Sequence, residues 1–211
     1  MIGAGGHAVS LTETIEALGL DIAVFVDSRA NAPSEFLGRP LETEVPEVEA
    51  PSTLRLVIAI GDNFARQRIA EFYAGRLPQP ELPVLVHPTA SVSRSAQLGP
   101  GTVVLQGAVV GSHAILGAGC LVNSGAVVEH ECVLGEYSSM GPNAVLGGRT
   151  SLGERVAIAL GATVKHGLSI GADTVVGAAS YVHRSLPNGV VAYGTPATVQ
   201  RKREPSDSYL V

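Results

Sequence analysis

Residues 116–146 read LGAGCLVNSGAVVEHECVLGEYSSMGPNAVL, and the six-residue rhythm of this stretch decides the fold. The same rhythm extends from Val92 to Val182, with an aliphatic side chain at every sixth position, sixteen times without a break. The residue two places before the aliphatic one is small in fourteen of the sixteen repeats, and glycine follows it directly in nine. A period held this long indicates a repeat architecture.

A period of six fits neither an amphipathic helix nor one long alternating strand. It predicts short strands joined by tight turns, with one large aliphatic and one small side chain buried in each repeat. Three strands would make a triangular coil of 18 residues. Successive coils would stack at the spacing of hydrogen-bonded strands, roughly 4.8 Å. We expect the glycine after the aliphatic residue to supply turn conformations that a Cβ would penalise.

Composition agrees with such a solenoid and narrows the partners. The chain of 211 residues is 45% hydrophobic but only 4% aromatic, and it has 25 glycines and no tryptophan. Its net charge of −5 argues against nucleic acid or an anionic membrane as the main partner. No apolar run has the length of a membrane span, and no signal peptide is visible. Cys120 and Cys132 take the small position of their repeats, so we expect two buried thiols in a reducing, cytoplasmic compartment.

The segment before the repeats has the order of a nucleotide-binding βαβ unit. The glycine-rich sequence GAGGHA at residues 3–8 leads into a helical pattern that ends at Gly19, and a strand over 22–26 is followed by Asp27. In such a unit the helix N-terminus binds phosphate and the acid binds ribose or base. Only two residues stand before Gly3, where the first strand belongs, which leaves open whether residues are missing there.

Three further features precede the repeats. Residues 31–51 are rich in proline and glutamate and predict a loop with little structure of its own. A third buried strand is expected over 54–60, followed by Gly61 and a helix over about 64–74. Gly61 would then close the same cleft as the first glycine-rich turn, at the carboxyl ends of the strands.

Four segments together carry a resemblance: GAGGHA at 3–8, AIGDN at 59–63, EHECVLG at 129–135 and GTPA at 194–197. The chain resembles the bacterial sialic-acid O-acetyltransferase and nucleotide-aminosugar N-acetyltransferase family, a branch of the hexapeptide-repeat acyltransferases. The resemblance implies a left-handed parallel β-helix. We therefore predict a small α/β Rossmann-like domain for the acceptor nucleotide-sugar over residues 1–85, the left-handed β-helix acyltransferase domain over 86–200, and a flexible tail over 201–211.

His130 is the predicted general base. His130 and His166 hold the same place in their repeats and are 36 residues apart, so they should stand on one edge on the order of 10 Å apart. That distance is too long for one metal ion held within a chain. Glu131 is next to His130, and a neighbouring carboxylate fixes the tautomer of an imidazole that accepts a proton. The resemblance gives the same roles, with Glu131 enhancing the base.

The resemblance also places acetyl-CoA in a groove between the subunits of a homotrimer. The positions that match its cofactor contacts are Ser139, Leu160 and Ala178, although relatives often carry histidine where this chain has Ser139. Gly148 joins this set, because the turn amides of Gly147 and Gly148 are candidate donors to the oxyanion of the thioester. The predicted contacts of the acceptor are Gly5, Gly6, His7, Asp27 and Gly61.

The sequence thus predicts an acetyl-CoA-dependent transferase that acetylates the amine of a nucleotide-linked aminosugar for surface glycans, with no metal. O-acetylation of a sugar hydroxyl, as on sialic acid, is an alternative because the same base serves both reactions. A metal enzyme of the carbonic-anhydrase type would need three histidines that converge across a subunit boundary. A non-catalytic scaffold or sugar-nucleotide sensor would not need His130 and Glu131. The sugar, the nucleotide and the acyl chain stay open.

Overall fold

The computed structural model describes residues 1–29, 34–46, 55–77 and 81–209. A small α/β part is followed by a long parallel β-solenoid, as the sequence predicts. The α/β part lies against one face of the solenoid. The described residues of the α/β part form two helices and three short strands. These are β1 (Phe25–Val26), β2 (Glu35–Phe36), β3 (Arg39–Glu42), α1 (Gly6–Ala17) and α2 (Asn63–Ala74).

The solenoid is a three-sided prism whose faces are parallel sheets. Face A consists of β4 (Leu85–Val86), β7 (Val103–Val104), β10 (Leu121–Val122), β13 (Ser139–Met140), β16 (Ala157–Ile158) and β19 (Val175–Val176), and is extended by β21 (Val190–Gly194) and the antiparallel β22 (Ala197–Lys202). Face B consists of β5 (Ser91–Val92), β8 (Val109–Val110), β11 (Val127–Val128), β14 (Val145–Leu146), β17 (Thr163–Val164) and β20 (Tyr181–Val182). Face C consists of β6 (Gln97–Leu98), β9 (Ile115–Leu116), β12 (Val133–Leu134), β15 (Ser151–Leu152) and β18 (Ser169–Ile170).

The register between coils is the predicted 18 residues, since Val128 pairs with Leu146 and Leu146 with Val164. Three corners separate the faces, and each is named by the faces that it joins. In one coil the AB corner is residues 123–126, the BC corner is 129–132 and the CA corner is 135–138. Positions 18 residues apart are therefore stacked on the same corner.

The interior of the prism is filled by the repeating aliphatic and small residues. Val122, Val128 and Leu134 are all at most 1% exposed. Cys120 and Cys132 lie among them as free, buried thiols, as the sequence predicts. Burial raises the pKa of the Cys120 thiol to about 12, so it stays protonated and packs as a small apolar group.

The glycine after the aliphatic residue has a different cause from the one that the repeat suggests. A Cβ added to Gly99 would lie 2.6 Å from the amide nitrogen of Ala118, and one added to Gly141 would lie 2.7 Å from that of Leu160. The backbone of the next coil thus leaves no room for a side chain. The left-handed φ occurs two residues later, as at Gly125 (φ 66), so the expected turn role of the first glycine is wrong.

The α/β part is a small mixed sheet with α1 packed on face A. Ile2 lies between Val26 and Ile58 in parallel bridges. Leu11 of α1 belongs to a buried cluster that includes Leu85 and Val103 of face A. The carboxyl ends of these short strands therefore carry the glycine-rich turn, Asp27 and Gly61 on one edge, as the sequence predicts.

Two predictions for the α/β part need correction. Residues 31–51 are not wholly a loop, because β2 and β3 form a hairpin through Leu37 (φ 50) and Gly38 (φ 70). The hairpin is held by Phe36, whose ring packs edge-on against Phe25 at 4.9 Å between centroids. Residues 31–33 and 47–51 lie outside the described residues. Leu54, the first residue of the predicted third strand, also lies outside, and the rest of that strand is limited to bridges at Arg55 and Ile58.

The end of the chain differs from the predicted flexible tail as far as Tyr209. Arg203 is 6% exposed, and its guanidinium donates to the backbone oxygen of Asp173 at 2.8 Å. The Tyr209 hydroxyl accepts the backbone N–H of Asn63 at 3.2 Å. The described part of residues 201–211 therefore packs on the molecule.

Each of the two described helices has 12 residues. A helix needs about 20 apolar residues to cross a bilayer, and no helix in the described ranges is long and apolar enough to do so.

Candidate active site

His130 stands on the BC corner between β11 and β12, with its side chain half exposed. Its Nδ1 lies 3.0 Å from Oε2 of Glu131. The neighbouring coils hold the backbone of the pair, because the Glu131 amide donates to Ser112 O at 2.8 Å and the Arg149 amide donates to His130 O at 2.9 Å. Glu131 has a φ of 57, at the corner position where Gly125 also turns left-handed. A carboxylate that accepts Nδ1–H leaves the lone pair of the neutral ring on Nε2.

Gly148 lies next to the imidazole of His130, one coil further along the same corner. A Cβ at Gly148 would contact Nε2 of His130 and would lie 2.7 Å from its Cε1. The ring therefore occupies the space above Gly148. His166 stacks one coil beyond Gly148, which agrees with the predicted two-coil separation of the two histidines.

The BC corner changes sign of charge along the axis of the solenoid. The coil of His130 has acidic residues on both sides of the histidine, Glu129 and Glu131. The following coils present exposed cations on this corner, one each. They are Arg149, Lys165 and Arg184.

The predicted cofactor residues do not all lie beside His130 in one chain. Leu160 and Ala178 are exposed and stacked on the AB corner, where the Ala179 amide donates to Leu160 O at 2.9 Å. Face B separates this corner from the corner of His130. Ser139 is on face A and only 8% exposed.

Ser139 is covered by the C-terminal segment. Its side chain lies beside the phenol of Tyr209, and burial raises the pKa of that phenol. Within the chain, Ser139 thus adjoins Tyr209 on face A. His130 and Glu131 stand between the other two faces, B and C.

The predicted acceptor residues converge at one edge of the α/β part. Gly5 is the N-cap of α1 and makes no side-chain cap hydrogen bond, and the first turn of this helix holds no acidic residue. A Cβ at Gly5 or Gly6 would have no atom of the described residues within 4 Å. These two glycines therefore leave an open surface at a helix N-terminus, where backbone N–H groups attract anions.

Asp27 lies beside this turn and is already hydrogen-bonded. Its Oδ2 accepts the amide of Ala4 at 3.1 Å, and Arg29 forms a salt bridge with it at 2.7 Å. Hydrogen bonds from the Arg29 side chain hold the pKa of Asp27 below its usual range. Asp27 thus fixes the glycine-rich turn, and the Arg29 side chain, 65% exposed, faces the solvent beside it.

His7 points inward rather than toward the open turn. It lines a small pocket together with Arg66, Cys120 and Tyr137. Burial and the positive charge of Arg66 lower the pKa of His7 to about 4. His7 is therefore neutral at physiological pH. Its backbone adjoins the glycine-rich turn, whereas its side chain points away from it.

Gly61 is held against the solenoid by Arg66, a residue that the sequence analysis did not select. The Arg66 guanidinium donates to Gly61 O at 2.9 Å and Ile60 O at 3.1 Å. It also donates to Gly119 O at 2.9 Å and Tyr137 O at 2.8 Å on the CA corner. The spacing GDN-x-x-R in residues 61–66 places this arginine one turn after the N-terminus of α2, and it is the sequence signal by which Arg66 could have been selected.

The structure thus forms three groups of predicted residues: the base on the BC corner, Leu160 and Ala178 on the AB corner, and the acceptor turn beside face A. Among the described residues, no three His, Cys, Asp or Glu side chains are grouped so that they could hold a metal ion. A triangular parallel solenoid with a histidine–carboxylate pair on a corner defines the class of hexapeptide-repeat acyltransferases.

The chain is similar to known sugar acetyltransferases within this class. Residues 1–72 match the model of the PglD N-terminal domain, and residues 113–148 match that of the bacterial transferase hexapeptide (six repeats). PerB from Caulobacter crescentus, solved with CoA and GDP-perosamine, is 37% identical over 95% of both chains, with a TM-score of 0.85. The acetyltransferase domain of PglB from Neisseria gonorrhoeae FA1090, solved with acetyl coenzyme A, is 33% identical over 94% of this chain and 97% of that one, with a TM-score of 0.85. The chain belongs to the hexapeptide-repeat family of sugar acetyltransferases.

Curated relatives match over part of their length. UDP-N-acetylbacillosamine N-acetyltransferase of Bacillus subtilis (strain 168) is 35% identical over 110 residues, which is 50% of this chain and 50% of that protein. The match to galactoside O-acetyltransferase of Lactococcus lactis subsp. lactis (strain IL1403) is 49% identical but spans 19% of this chain and 20% of that protein. The chain therefore spans half or less of the length of these two relatives.

Proposed function

We propose that the protein transfers an acetyl group from acetyl-CoA to the amine of a nucleotide-linked aminosugar. The observation that carries the proposal is the contact of 3.0 Å between His130 Nδ1 and Glu131 Oε2 on an open corner of the solenoid. This contact supports the tautomer that carries its proton on Nδ1, in which the Nε2 lone pair can accept a proton from an incoming amine.

His130 would act as general base in a direct transfer. The amine nitrogen attacks the thioester carbonyl carbon, and an N–C bond forms while the proton moves to Nε2 of His130. The C–S bond then breaks, and the thiolate of CoA leaves and takes up a proton. The developing oxyanion needs a donor, for which we propose the amide of Gly148. The amide of Gly147, the other candidate, already donates to Val164 O at 2.8 Å. Glu131 would stabilise the imidazolium that forms. Histidine is also the residue replaced in two structures of the Caulobacter GDP-perosamine enzyme.

The exposed cations of the BC corner support this corner as the surface that binds the CoA phosphates. CoA is a polyanion, and Arg149, Lys165 and Arg184 are exposed cations on the coils that follow His130. Electrostatic attraction between these cations and the phosphates, which salt weakens, favours a cofactor that lies along the solenoid axis with its thioester at His130.

A second copy of the chain is needed to complete the site in this proposal. The α/β part covers face A, whereas His130 stands on the BC corner, and Leu160 and Ala178 are across face B. Both uncovered faces expose aliphatic side chains, with Val109 on face B 38% exposed and Val133 on face C 44% exposed. We therefore infer a closed homotrimer, in which the acetyl-CoA groove lies between His130 of one subunit and Leu160 and Ala178 of the next.

The acceptor phosphate would bind at the N-terminus of α1. Gly5 and Gly6 leave the helix amides open, and Asp27, Arg29 and Gly61 border the same edge. The free buried thiols of Cys120 and Cys132 support a reducing compartment, so we place the reaction in the cytoplasm.

The test is a substrate panel with purified protein. Acetyl-CoA consumption is measured with UDP-, dTDP- and GDP-linked aminosugars and with CMP-sialic acid, and the product is identified by mass spectrometry and by its resistance to mild base. A base-stable amide is expected. A base-labile ester would instead support O-acetylation, and no consumption with any acceptor would contradict both.

A further inference from the structure

The C-terminal segment, residues 203–209, returns to the α/β part after β22. Arg203 anchors it, because its guanidinium donates to Asp173 O at 2.8 Å and to Asp207 O at 2.5 Å. The same guanidinium lies over the ring of Tyr209, 5.6 Å from its centroid. The segment is thus fixed on the CA corner with Tyr209 at its far end.

Tyr209 reaches the first residue of α2 from a distance of 146 residues along the chain. Its hydroxyl accepts the backbone N–H of Asn63 at 3.2 Å. The first N–H groups of a helix have no partner within the helix. Tyr209 therefore satisfies one such donor and ties the start of α2 to the C-terminal segment.

Asn63 is held on all of its side-chain polar atoms as well. Its Nδ2 donates to the backbone oxygens of Arg155 at 3.2 Å and Val156 at 3.0 Å, and its Oδ1 accepts from Arg66 at 2.8 Å. Asn63 is only 1% exposed. Since Asn63 follows Gly61 by two residues, its position sets that of the acceptor loop, residues 61–63.

The loop is therefore held from two sides. Arg66 binds the carbonyl groups of Ile60 and Gly61 from the solenoid side. Tyr209 binds the amide of Asn63 from the C-terminal segment. Buried polar groups that lose one partner incur the full cost of desolvation, so removal of the Tyr209 hydroxyl would loosen the loop on one side only.

We propose that Tyr209 is a positioning residue for the nucleotide-sugar acceptor, acting through Asn63 on the loop that carries Gly61. The inference rests on the proposed function. It also places Ser139 on the acceptor side of the site, because Ser139 of face A lies beside Tyr209. Tyr209 lies beside the CA corner and not on the BC corner that carries His130 and Glu131, so its effect falls on acceptor binding and not on acetyl-CoA.

The test compares Tyr209→Phe with Tyr193→Phe, a change at a tyrosine of β21 that is 52% exposed. The KM for the acceptor and for acetyl-CoA, the kcat and the Tm are measured for the full-length protein, and the Kd of UDP, dTDP and GDP is measured by calorimetry. Tyr209→Phe should raise the acceptor KM and the Kd of the bound nucleotide about fivefold, the worth of one hydrogen bond. The KM for acetyl-CoA should stay within about twofold. Tyr193→Phe should change none of these values.

Ser139→Ala separates this role from a contact with the cofactor. It should raise the acceptor KM in the same direction as Tyr209→Phe and leave the acetyl-CoA KM unchanged. An unchanged acceptor KM in Tyr209→Phe, or an equal rise of both KM values, would overturn the proposal. If the wild-type protein acetylates no aminosugar, the proposed function fails instead, and the nucleotide Kd of Tyr209→Phe alone still decides the role of Tyr209.

Discussion

The ring of His130 fills the space that a side chain at Gly148 would occupy, one coil away on the same corner. The absence of a side chain at Gly148 thus sets where the imidazole can lie. A catalytic histidine in this position depends on its neighbour along the axis as well as on Glu131, its neighbour along the chain.

Gly148→Ala should therefore displace the imidazole and lower kcat by about 10-fold or more, because small misplacements of a catalytic group are costly. The matched control is the same change in a His130→Ala background, where the imidazole that the added methyl group would displace is absent. Gly148→Ala should lower both kcat and Tm when His130 is present. In the His130→Ala background it should change kcat and Tm very little. Equal costs in the two backgrounds would mean that Gly148 acts on the backbone and not on His130.

His130→Ala should lower kcat by roughly 10² to 10⁴, the usual contribution of a general base. The Tm should change little, since the side chain is half exposed and lies outside the aliphatic core. Near-normal turnover in this variant would refute the assignment of the base.

Glu131→Gln should cause a smaller loss of kcat than His130→Ala, because the amide oxygen can still accept Nδ1–H while the charge is lost. Glu129→Gln is the matched control, since it removes the same charge from the other side of His130 without contact to Nδ1. Single-turnover rates should fall for Glu131→Gln and stay near the wild-type value for Glu129→Gln. Equal losses would show that the corner needs only its negative charge.

Asp27→Ala should raise the acceptor KM and leave the acetyl-CoA KM almost unchanged, because it frees both the Ala4 amide and Arg29 at the glycine-rich turn. Asp21→Ala is the control, since Asp21 also pairs with an arginine, Arg39, at 2.9 Å but lies away from the turn. Equal effects of Asp27→Ala on both substrates would place the acceptor elsewhere.

Protonation of His7 should destabilise the fold in acid. Its pKa is about 4 in the folded protein and 6.5 in the unfolded chain, so the unfolded state takes up the proton first. The contribution of His7 to stability is fully present above about pH 6.5 and is lost as the pH falls toward 4. The difference in Tm between pH 7 and pH 4.5 should therefore shrink in His7→Asn, and it should not shrink in His113→Asn, a change at an exposed corner histidine. An unchanged Tm difference in His7→Asn would contradict the burial argument.

Subunit mixing tests the shared site. A His130→Ala chain and an Ala178→Trp chain should each be inactive alone. In random trimers about one quarter of the interfaces would pair an intact His130 with an intact Ala178 wall. Refolding the two chains together should restore about that fraction of activity, with native mass spectrometry as the check on mixing. Mixed trimers without activity would place the whole site within one chain.

Local sequence signals were sufficient for the solenoid, because every hexapeptide repeats the same buried pair and the register follows from the period. The same holds for the contact between His130 and Glu131, which are adjacent in the chain. The turn role of the first glycine was wrong, since the period cannot tell a conformational need from a lack of space between coils, as at Gly141. The contact of Tyr209 with Asn63 spans 146 residues and depends on where the chain returns, so no local pattern contains it.

The 18-residue register has a consequence for how such a chain can change in length. Each coil adds a fixed rise of roughly 4.8 Å, so the separation between His130 and Arg184, three coils away, is about 14 Å and can vary only in whole steps. Gain or loss of one complete coil would preserve the interior and shift the cations by one step relative to the histidine. The reach of an extended acyl donor along the corner is therefore a discrete quantity, set by the number of coils.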